Sequence, residues 1–125
     1  MGFLSSLFGS NTNAESNTEK NFDIFKYDGI RALRIGKVTY AIKCLKEALE
    51  IQQDIETMNY LASAYVQINQ MDEAKKVFLS MTDIEPNEPT HFLSLANLCY
   101  MMEDYHGMNE ACNKVISIDN QIPVA

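Results

Sequence analysis

The sequence predicts an all-α fold, an α-solenoid of three helix-turn-helix repeats, and two observations carry the prediction. The first is one spacing of apolar or small residues that occurs three times: Ala41, Leu45 and Ala48; Ala74, Phe78 and Met81; Met108, Cys112 and Val115. The second is a small residue 12 positions before each of these patterns: Gly29, Ala62 and Ala96. Each pattern begins 33 or 34 residues after the previous one. Repeats of this length, with two helical patterns in each, are typical of stacked helix pairs.

The near-3.6 spacing of apolar residues predicts six helices, over 22–35, 38–51, 55–68, 71–82, 89–101 and 105–117. The breaks between them have physical causes. Gly36 adopts a left-handed turn at little cost, and Asp54 and Asp104 are suited to cap the helices that follow them. Pro86 and Pro89 bracket the break between the second and third repeats, because proline blocks helix continuation but fits a helix start.

These helices predict an array over 22–120, with repeats at about 22–54, 55–88 and 89–120 and a tail at 121–125. A polar segment precedes the array, and we expect residues 10–21 to form a flexible linker. The chain after Ile118 is short and contains a proline, so we expect no further helix to cover the last one. Exposed apolar residues there would mark an interface. The candidates are Met101, Met102, Ile116 and Ile118.

Residues 1–9 form a short apolar, amphipathic segment with Phe3, Leu4, Leu7 and Phe8 at helical spacing. Three interpretations are open. The segment docks on the array or is disordered; it makes weak contact with a membrane surface or a partner helix; or Gly2 is lipidated, because the start of the chain fits an N-myristoylation pattern. Four apolar side chains alone would bind a membrane marginally, since even one acyl chain anchors only reversibly.

Charge is unevenly distributed along the chain. Residues 1–53 hold seven Lys/Arg and six Asp/Glu, whereas residues 54–125 hold three and eleven. The acidic second part is a poor match for a phosphate backbone, so nucleic acid is not expected as a partner. Three cysteines at irregular spacing argue against a disulfide framework and for a reducing, cytoplasmic compartment. We expect Cys44, Cys99 and Cys112 to be small buried apolar residues.

Catalysis, a cofactor and a metal site are not expected. The two histidines, His91 and His106, lie in different predicted helices without a recurring acidic partner. The sequence lacks the P-loop, dinucleotide-binding, zinc-protease and nucleophile-elbow motifs. Both histidines are therefore favoured as surface or capping residues.

The three repeats carry residues of a known pattern. The second repeat carries most of them: Met58, Leu61, Ala62, Tyr65, Ala74, Phe78, Ile84 and Pro86. The first carries Phe25, Gly29, Ala32, Gly36, Tyr40, Ala41, Leu45 and Ala48, and the third carries Phe92, Leu95, Ala96 and Tyr105. Departures from the pattern are Gln53 and Asn120 for proline, Cys99 for an aromatic residue and Met108 for alanine. With these residues the chain resembles the tetratricopeptide-repeat family over residues 22–120.

In this family the first helices of successive repeats line a concave groove that binds a peptide or a partner helix. Carried over position by position, the resemblance implies this groove set: Lys26, Tyr27, Ile30, Arg34, Asn59, Tyr60, Ser63, Gln67, Asn97, Tyr100 and Met101. Packing between repeats is favoured for three other residues of these helices, Leu33, Val66 and Leu93. Members that hold the C-terminal carboxylate of heat-shock chaperones use a clamp of Lys, Asn and Arg. Lys26 matches one clamp position, but the other four places are taken by Ile30, Tyr60, Thr90 and Ser94, so we expect no such clamp.

The resemblance implies a non-catalytic protein-interaction module, an adaptor or co-chaperone-like scaffold in the cytoplasm that binds a peptide or helix of another protein. An alternative stays open. In it the chain is a self-associating or membrane-peripheral assembly factor, for example a homodimer, that acts through its N-terminal segment and its uncovered last helix.

Overall fold

The computed structural model describes the backbone of residues 10–121 and the side chains of residues 17–121. This part of the chain contains six helices and no strand: α1 Ser10–Arg34, α2 Val38–Ile51, α3 Ile55–Gln67, α4 Met71–Ile84, α5 Pro89–Met101 and α6 Tyr105–Gln121. The prediction of an all-α fold is confirmed. The predicted segment 1–9 and most of the tail at 121–125 lie outside the described residues.

The first helix begins earlier than predicted. Residues 10–21 are the N-terminal part of α1, so the expectation of a flexible linker there is wrong. The segment contains neither proline nor glycine, and adding a residue to an existing helix costs far less than starting a new one. The polar composition reflects the exposure of its side chains, which are exposed from residue 17 to residue 21, and not an inability to form a helix.

Backbone packing divides the chain into two compact units, Met1–Thr57 and Met58–Ala125. Unit 1 contains α1 and α2. Unit 2 contains α4, α5 and α6 together with the larger part of α3, because the division falls inside that helix. Each unit is therefore built on close helix pairs, α1 with α2 in unit 1 and α5 with α6 in unit 2.

In unit 1 the two helices cross at the predicted small residue. A Cβ added at Gly29 would lie 2.7 Å from Leu45 Cγ and 3.3 Å from the carbonyl oxygen of Ala41. Leu45, Ala41 and Ala48 are completely buried. The glycine thus allows the backbone of α1 to approach α2, and Leu45 fills the space against it.

In unit 2, α5 packs against both α4 and α6. Its buried residues Leu98 and Cys99 form part of the unit's core together with Ala62, Ala74 and Met81. The small residues predicted at repeated positions of α3 and α4 are therefore buried.

The last helix departs from the repeat pattern. Cys112 was expected to be buried but is exposed, and Ile118 was expected to be exposed but is buried. The buried side of α6 carries Ala111 and Ile118, which lie seven residues apart and so share one face. Cys112 is one residue beyond Ala111, about 100° further around the helix, and this rotation turns it towards solvent. Ile116 is exposed, as predicted.

Three helix-to-helix turns repeat the same backbone geometry. The left-handed residue of each turn has a φ of 81° at Gly36, 61° at Asn69 and 59° at Glu103. In each turn the following amide donates to a carbonyl five residues earlier, over 2.8 Å: Lys37 to Ala32, Gln70 to Tyr65 and Asp104 to Cys99. This pair of features is the Schellman ending of a helix. The repeat period is thus visible in the backbone as well as in the sequence.

The predicted starts of α3, α5 and α6 are confirmed. The carboxylate of Asp54 accepts from the backbone N–H of Thr57 over 3.0 Å, and that of Asp104 accepts from the backbone N–H of Gly107 over 3.0 Å. Pro89 occupies the first turn of α5, where no intrahelical donor is needed.

Candidate partner-binding surfaces

A cleft of about 210 Å³ lies in unit 2 among α3, α4 and α5. Three of the predicted groove residues, Ser63, Asn97 and Met101, line it. Asn97 and Met101 lie four residues apart on α5 and therefore face the same side. The other lining residues are Val66, Phe78, Ser94 and Leu98.

The cleft is uncharged. All of its lining side chains are hydroxyl, amide, thioether or hydrocarbon groups. Leu98 is fully buried and forms an apolar floor, whereas Met101 is exposed at the edge. The Asn97 side chain has two N–H donors and a carbonyl acceptor, so it can pair with both halves of a peptide bond. Such a cleft suits an uncharged segment with aliphatic or aromatic side chains.

A second hollow of about 350 Å³ lies along α3 and is lined by Asn59, Tyr60 and Ser63. Ser63 belongs to both openings. The exposed side of α3 in unit 2 therefore carries a continuous polar and aromatic face from Asn59 to Ser63. Gln67, at the end of the same helix, is exposed but lines neither opening.

In unit 1 the structure places the buried Lys26 in an ion-pair cluster with two carboxylates that are less buried than the lysine. Its ammonium lies 3.0 Å from the Asp54 carboxylate and 2.7 Å from that of Glu56, and the residue is only 7% exposed. The rings of Phe22 and Tyr27 flank the same nitrogen at 5.8 and 5.4 Å. Lys26 therefore ties α1 to the start of α3, and its charge is already neutralised within the unit.

The pKa values of the cluster follow from these contacts. Burial alone would lower the pKa of Lys26, but the hydrogen bonds to Glu56 and Asp54 outweigh it and raise that pKa above its usual range. Burial alone would raise the pKa of Asp54, but hydrogen bonds from Thr57 and Lys26 outweigh it and lower that pKa. Both groups are therefore charged over the whole neutral range.

The remaining predicted groove residues differ in how far they are buried. Ile30 is buried in the core, while Tyr27, Arg34 and Tyr100 are exposed. Leu93, for which packing between repeats was favoured, is exposed as well, so that expectation is wrong. Leu33 and Val66 are half-buried. Pattern-based reasoning could not separate these residues, because one helical period gives the face of a helix and not the depth of its cover.

Three lining residues of the unit 2 cleft were missed: Phe78, Ser94 and Leu98. Phe78 was assigned to the repeat core, and it is indeed buried, but its ring also reaches the cleft. Ser94 was named only as one of the residues that do not match the chaperone-binding clamp. Its position three residues before Asn97 places it on the same face of α5, and that spacing is the signal that could have identified it.

The histidines have structural partners. His91 is buried, with its Nε2 2.6 Å from the carboxylate of Glu85, and so links the end of α4 to the start of α5. His106 is exposed and lies 2.5 Å from Glu110 one helical turn away. Within residues 10–121 no cluster of His, Cys, Asp and Glu is arranged to hold a metal ion. In the same part of the chain, no helix is long and apolar enough to span a membrane.

Comparison with known proteins identifies the repeat. Residues 55–88 match the family model described as tetratricopeptide repeat. The chain is 30% identical over 93 residues to tetratricopeptide repeat protein 17 of Mus musculus, an alignment that covers 71% of this chain and 8% of that protein. The chain therefore spans only a small part of the length of this curated relative.

Two solved structures share the fold over most of the chain. The Sgt2 tetratricopeptide domain from Aspergillus fumigatus superimposes with a TM-score of 0.67 at 25% identity, covering 80% of this chain and 67% of that one. The second such domain of Spaghetti (RPAP3), bound to the HSP90 peptide SRMEEVD, superimposes with a TM-score of 0.70 at 17% identity, covering 85% and 98%. One assignment is supported by the matched central repeat, the turn geometry that recurs between its helices, and the likeness to these relatives. The chain belongs to the tetratricopeptide-repeat family.

Proposed function

We propose that this protein is a non-catalytic interaction module that binds an extended peptide or a helix of another protein in the unit 2 cleft. The observation that carries the proposal is the composition of that cleft. Its floor is apolar, its edge carries the flexible Met101, and Asn97 supplies paired donors and an acceptor. The flexible thioether of Met101 adapts to varied apolar partners, so such a cleft is suited to recognition.

The proposed ligand differs from the peptide bound by one structural relative. The peptide SRMEEVD bound to the Spaghetti domain ends in charged residues and a carboxylate. In this chain Tyr60, Thr90 and Ser94 occupy clamp positions, and the one matching cation, Lys26, is paired with two carboxylates. We therefore propose a ligand segment that enters the cleft with aliphatic or aromatic side chains and no terminal charge.

The experiment is an affinity capture from source-cell lysate followed by calorimetry. The double variant Asn97→Ala/Met101→Ala removes the amide and the edge of the cleft. The matched control Asn113→Ala/Ile116→Ala makes the same type of change on exposed residues of α6. Segments of any captured protein are then titrated as synthetic peptides into wild type and both variants.

The proposal predicts a partner whose peptide binds the wild type and the α6 control and fails to bind the cleft variant. Equal binding by the cleft variant would contradict it. Retention of a partner by the cleft variant with loss in the α6 control would instead support the alternative function, an assembly factor that acts through its last helix. The exposure of Ile116 is the observation that favours this alternative.

We propose the cytoplasm as the compartment, on the basis of the three free cysteines. Cys44 and Cys99 are buried as free thiols and Cys112 is an exposed one. Exposed free thiols persist in reducing compartments. Thiol labelling of the protein in intact cells would test this, and oxidation of Cys112 in the cellular state would contradict it.

A further inference from the structure

A cleft of about 530 Å³ lies in unit 1 at the turn between α1 and α2. It is separate from the surfaces described above. Its apolar wall is formed by Ile35, which is 70% exposed, and Tyr40, which is 52% exposed. An exposed apolar patch rimmed by charged residues is typical of an interaction site. The rest of the lining is Asp28, Arg31, Ala32 and Lys37.

The stretch of sequence that forms most of this cleft is basic, whereas Asp28 contributes a carboxylate to its lining. From Arg31 to Lys46 the sequence holds five Lys/Arg and no Asp/Glu. Arg31, Arg34 and Lys37 are all exposed at the turn. Arg31 pairs with Asp28, and within residues 17–121 no carboxylate lies within ion-pair distance of Arg34 or Lys37. The chemistry required of a ligand is therefore an acidic group next to an exposed apolar or aromatic side chain.

Unit 2 of this protein carries a surface with that chemistry. From Val77 to Asn113 the sequence holds six Asp/Glu and no Lys/Arg. Within this stretch the α5–α6 turn exposes Glu103 between two exposed tyrosines, Tyr100 and Tyr105. Their rings form an edge-to-face pair with centroids 6.3 Å apart. An acidic group and an aromatic pair are thus presented together on one helix-to-helix turn.

The backbone at Glu103 supports a role for its side chain. Glu103 holds the left-handed position that glycine holds in the first turn, at Gly36. A glutamate is disfavoured there because its Cβ crowds the backbone. Residues held in such conformations are concentrated at functional sites.

We propose that the cleft at the α1–α2 turn of one copy binds the α5–α6 turn of a second copy. Glu103 of the second copy pairs with Lys37 and Arg34, while its tyrosines cover Ile35 and Tyr40. The contact joins two different surfaces, so a bound pair still presents one free cleft on one copy and one free turn on the other. Such association closes into a ring or continues as a chain. It uses neither Asn97 nor Ser63, so it does not depend on the function proposed for the unit 2 cleft.

The test is sedimentation velocity of the full chain over a wide range of concentration, at low and high salt. The wild type is expected to form concentration-dependent oligomers that dissociate as salt rises, because exposed charge pairs are screened. Lys37→Glu and Glu103→Lys are each expected to be monomeric, since like charges then meet at the contact. An equimolar mixture of the two variants is expected to associate again, because each cleft then finds an opposite charge.

Lys43→Glu serves as the matched control, because it makes the same charge change on an exposed α2 residue outside the cleft lining. It is expected to associate as the wild type does. Circular dichroism verifies that every variant is folded. A monomeric wild type, single variants that still associate, or a mixture of folded variants that stays monomeric would each overturn the proposal.

One further arm distinguishes a second copy from a membrane as the occupant. Wild type and Lys37→Glu are floated with vesicles of phosphatidylcholine and with vesicles that contain phosphatidylserine. The proposal predicts no difference between the two proteins in either case. A wild type that is monomeric in solution and binds the anionic vesicles through Lys37 would overturn it in favour of a lipid surface.

Discussion

The two units are built from related helix pairs, but their charged residues are arranged differently. Unit 1 buries the Lys26 ammonium between Asp54 and Glu56, whereas unit 2 holds nine Asp/Glu against three Lys/Arg over residues 58–125. The shared features are the small buried residues at repeated positions and the left-handed turn. The comparison shows that the repeat dictates close backbone contacts, while charge is free to differ from one repeat to the next.

The largest effect on stability is expected where α2 and α6 differ at one shared repeat position. Leu45 and Cys112 hold the same repeat position, but Leu45 is completely buried and Cys112 is exposed. Leu45→Ala should lower the free energy of unfolding by about 2–5 kcal/mol, because it removes buried apolar contact and leaves a cavity. Cys112→Ala should change it by less than about 0.5 kcal/mol. Urea denaturation measures both, and similar costs would show that α6 packs as the repeat pattern predicts.

A smaller effect is expected from the cation of unit 1. Lys26→Ala removes the hydrogen-bonded cation that Asp54 and Glu56 share and should cost about 1.5–3 kcal/mol, the range for a hydrogen bond to a charged group. Lys75→Ala in unit 2 is the matched comparison, because Lys75 is partly exposed and lies 3.3 Å from Asp104. It should cost no more than about 1 kcal/mol. Equal costs would contradict the distinction between a buried pair and a surface pair.

The turns allow a gain in stability to be predicted. Glu103→Gly should raise the free energy of unfolding by about 1 kcal/mol, since a left-handed residue with a Cβ costs about 1–2 kcal/mol and glycine itself loses more entropy on folding. Gly36→Ala should lower it by a similar amount, because Gly36 has a φ of 81°. No atom lies within 4 Å of the added Cβ, so its cost would come from the backbone alone. Thermal unfolding monitored by circular dichroism measures both, and stabilisation by Gly36→Ala would contradict this reasoning.

The smallest expected effect concerns pH. The pKa of Asp54 is lower in the folded protein than its ordinary value of 3.8. The stability from this group is therefore fully present above that value and is lost as pH falls through the folded-state pKa. The raised pKa of Lys26 affects stability only at strongly alkaline pH, where the lysine would deprotonate. Asp54→Asn should reduce the acid-induced loss of stability, and urea midpoints from neutral to acidic pH measure it. An unchanged acid dependence in this variant would contradict the assigned contacts.

The sequence was informative where one residue type satisfies one local need. Each of three residues meets one backbone requirement, and each was predicted at the correct place. Gly36 adopts a left-handed φ, Asp54 accepts from a free N–H, and Pro89 begins a helix where no donor is needed. Asn69 and Glu103 hold the same turn position as Gly36 but were not recognised. Their residue types do not require a left-handed φ, so only the repeat period could have indicated it.

Features that depend on several elements were less predictable. The partners of Lys26 follow it by 28 and 30 residues and belong to another part of the fold, so no local pattern reveals them. The start of α1 at Ser10 was missed because polar composition was taken as a sign of flexibility. Residues of the unit 2 cleft were found in part, since the family resemblance implied Ser63, Asn97 and Met101, whereas Phe78 reaches the cleft from a different helix.

Photo-cross-linking in source cells is the direct test of whether a partner binds in the uncharged cleft of unit 2. A photoreactive phenylalanine analogue replaces Met101 at the edge of the cleft, and in a matched variant it replaces Ile116 on the exposed side of α6. If the partner binds in this cleft, the Met101 position is expected to cross-link one partner protein and the Ile116 position is not. Cross-links to a partner from Ile116 with none from Met101 would contradict it.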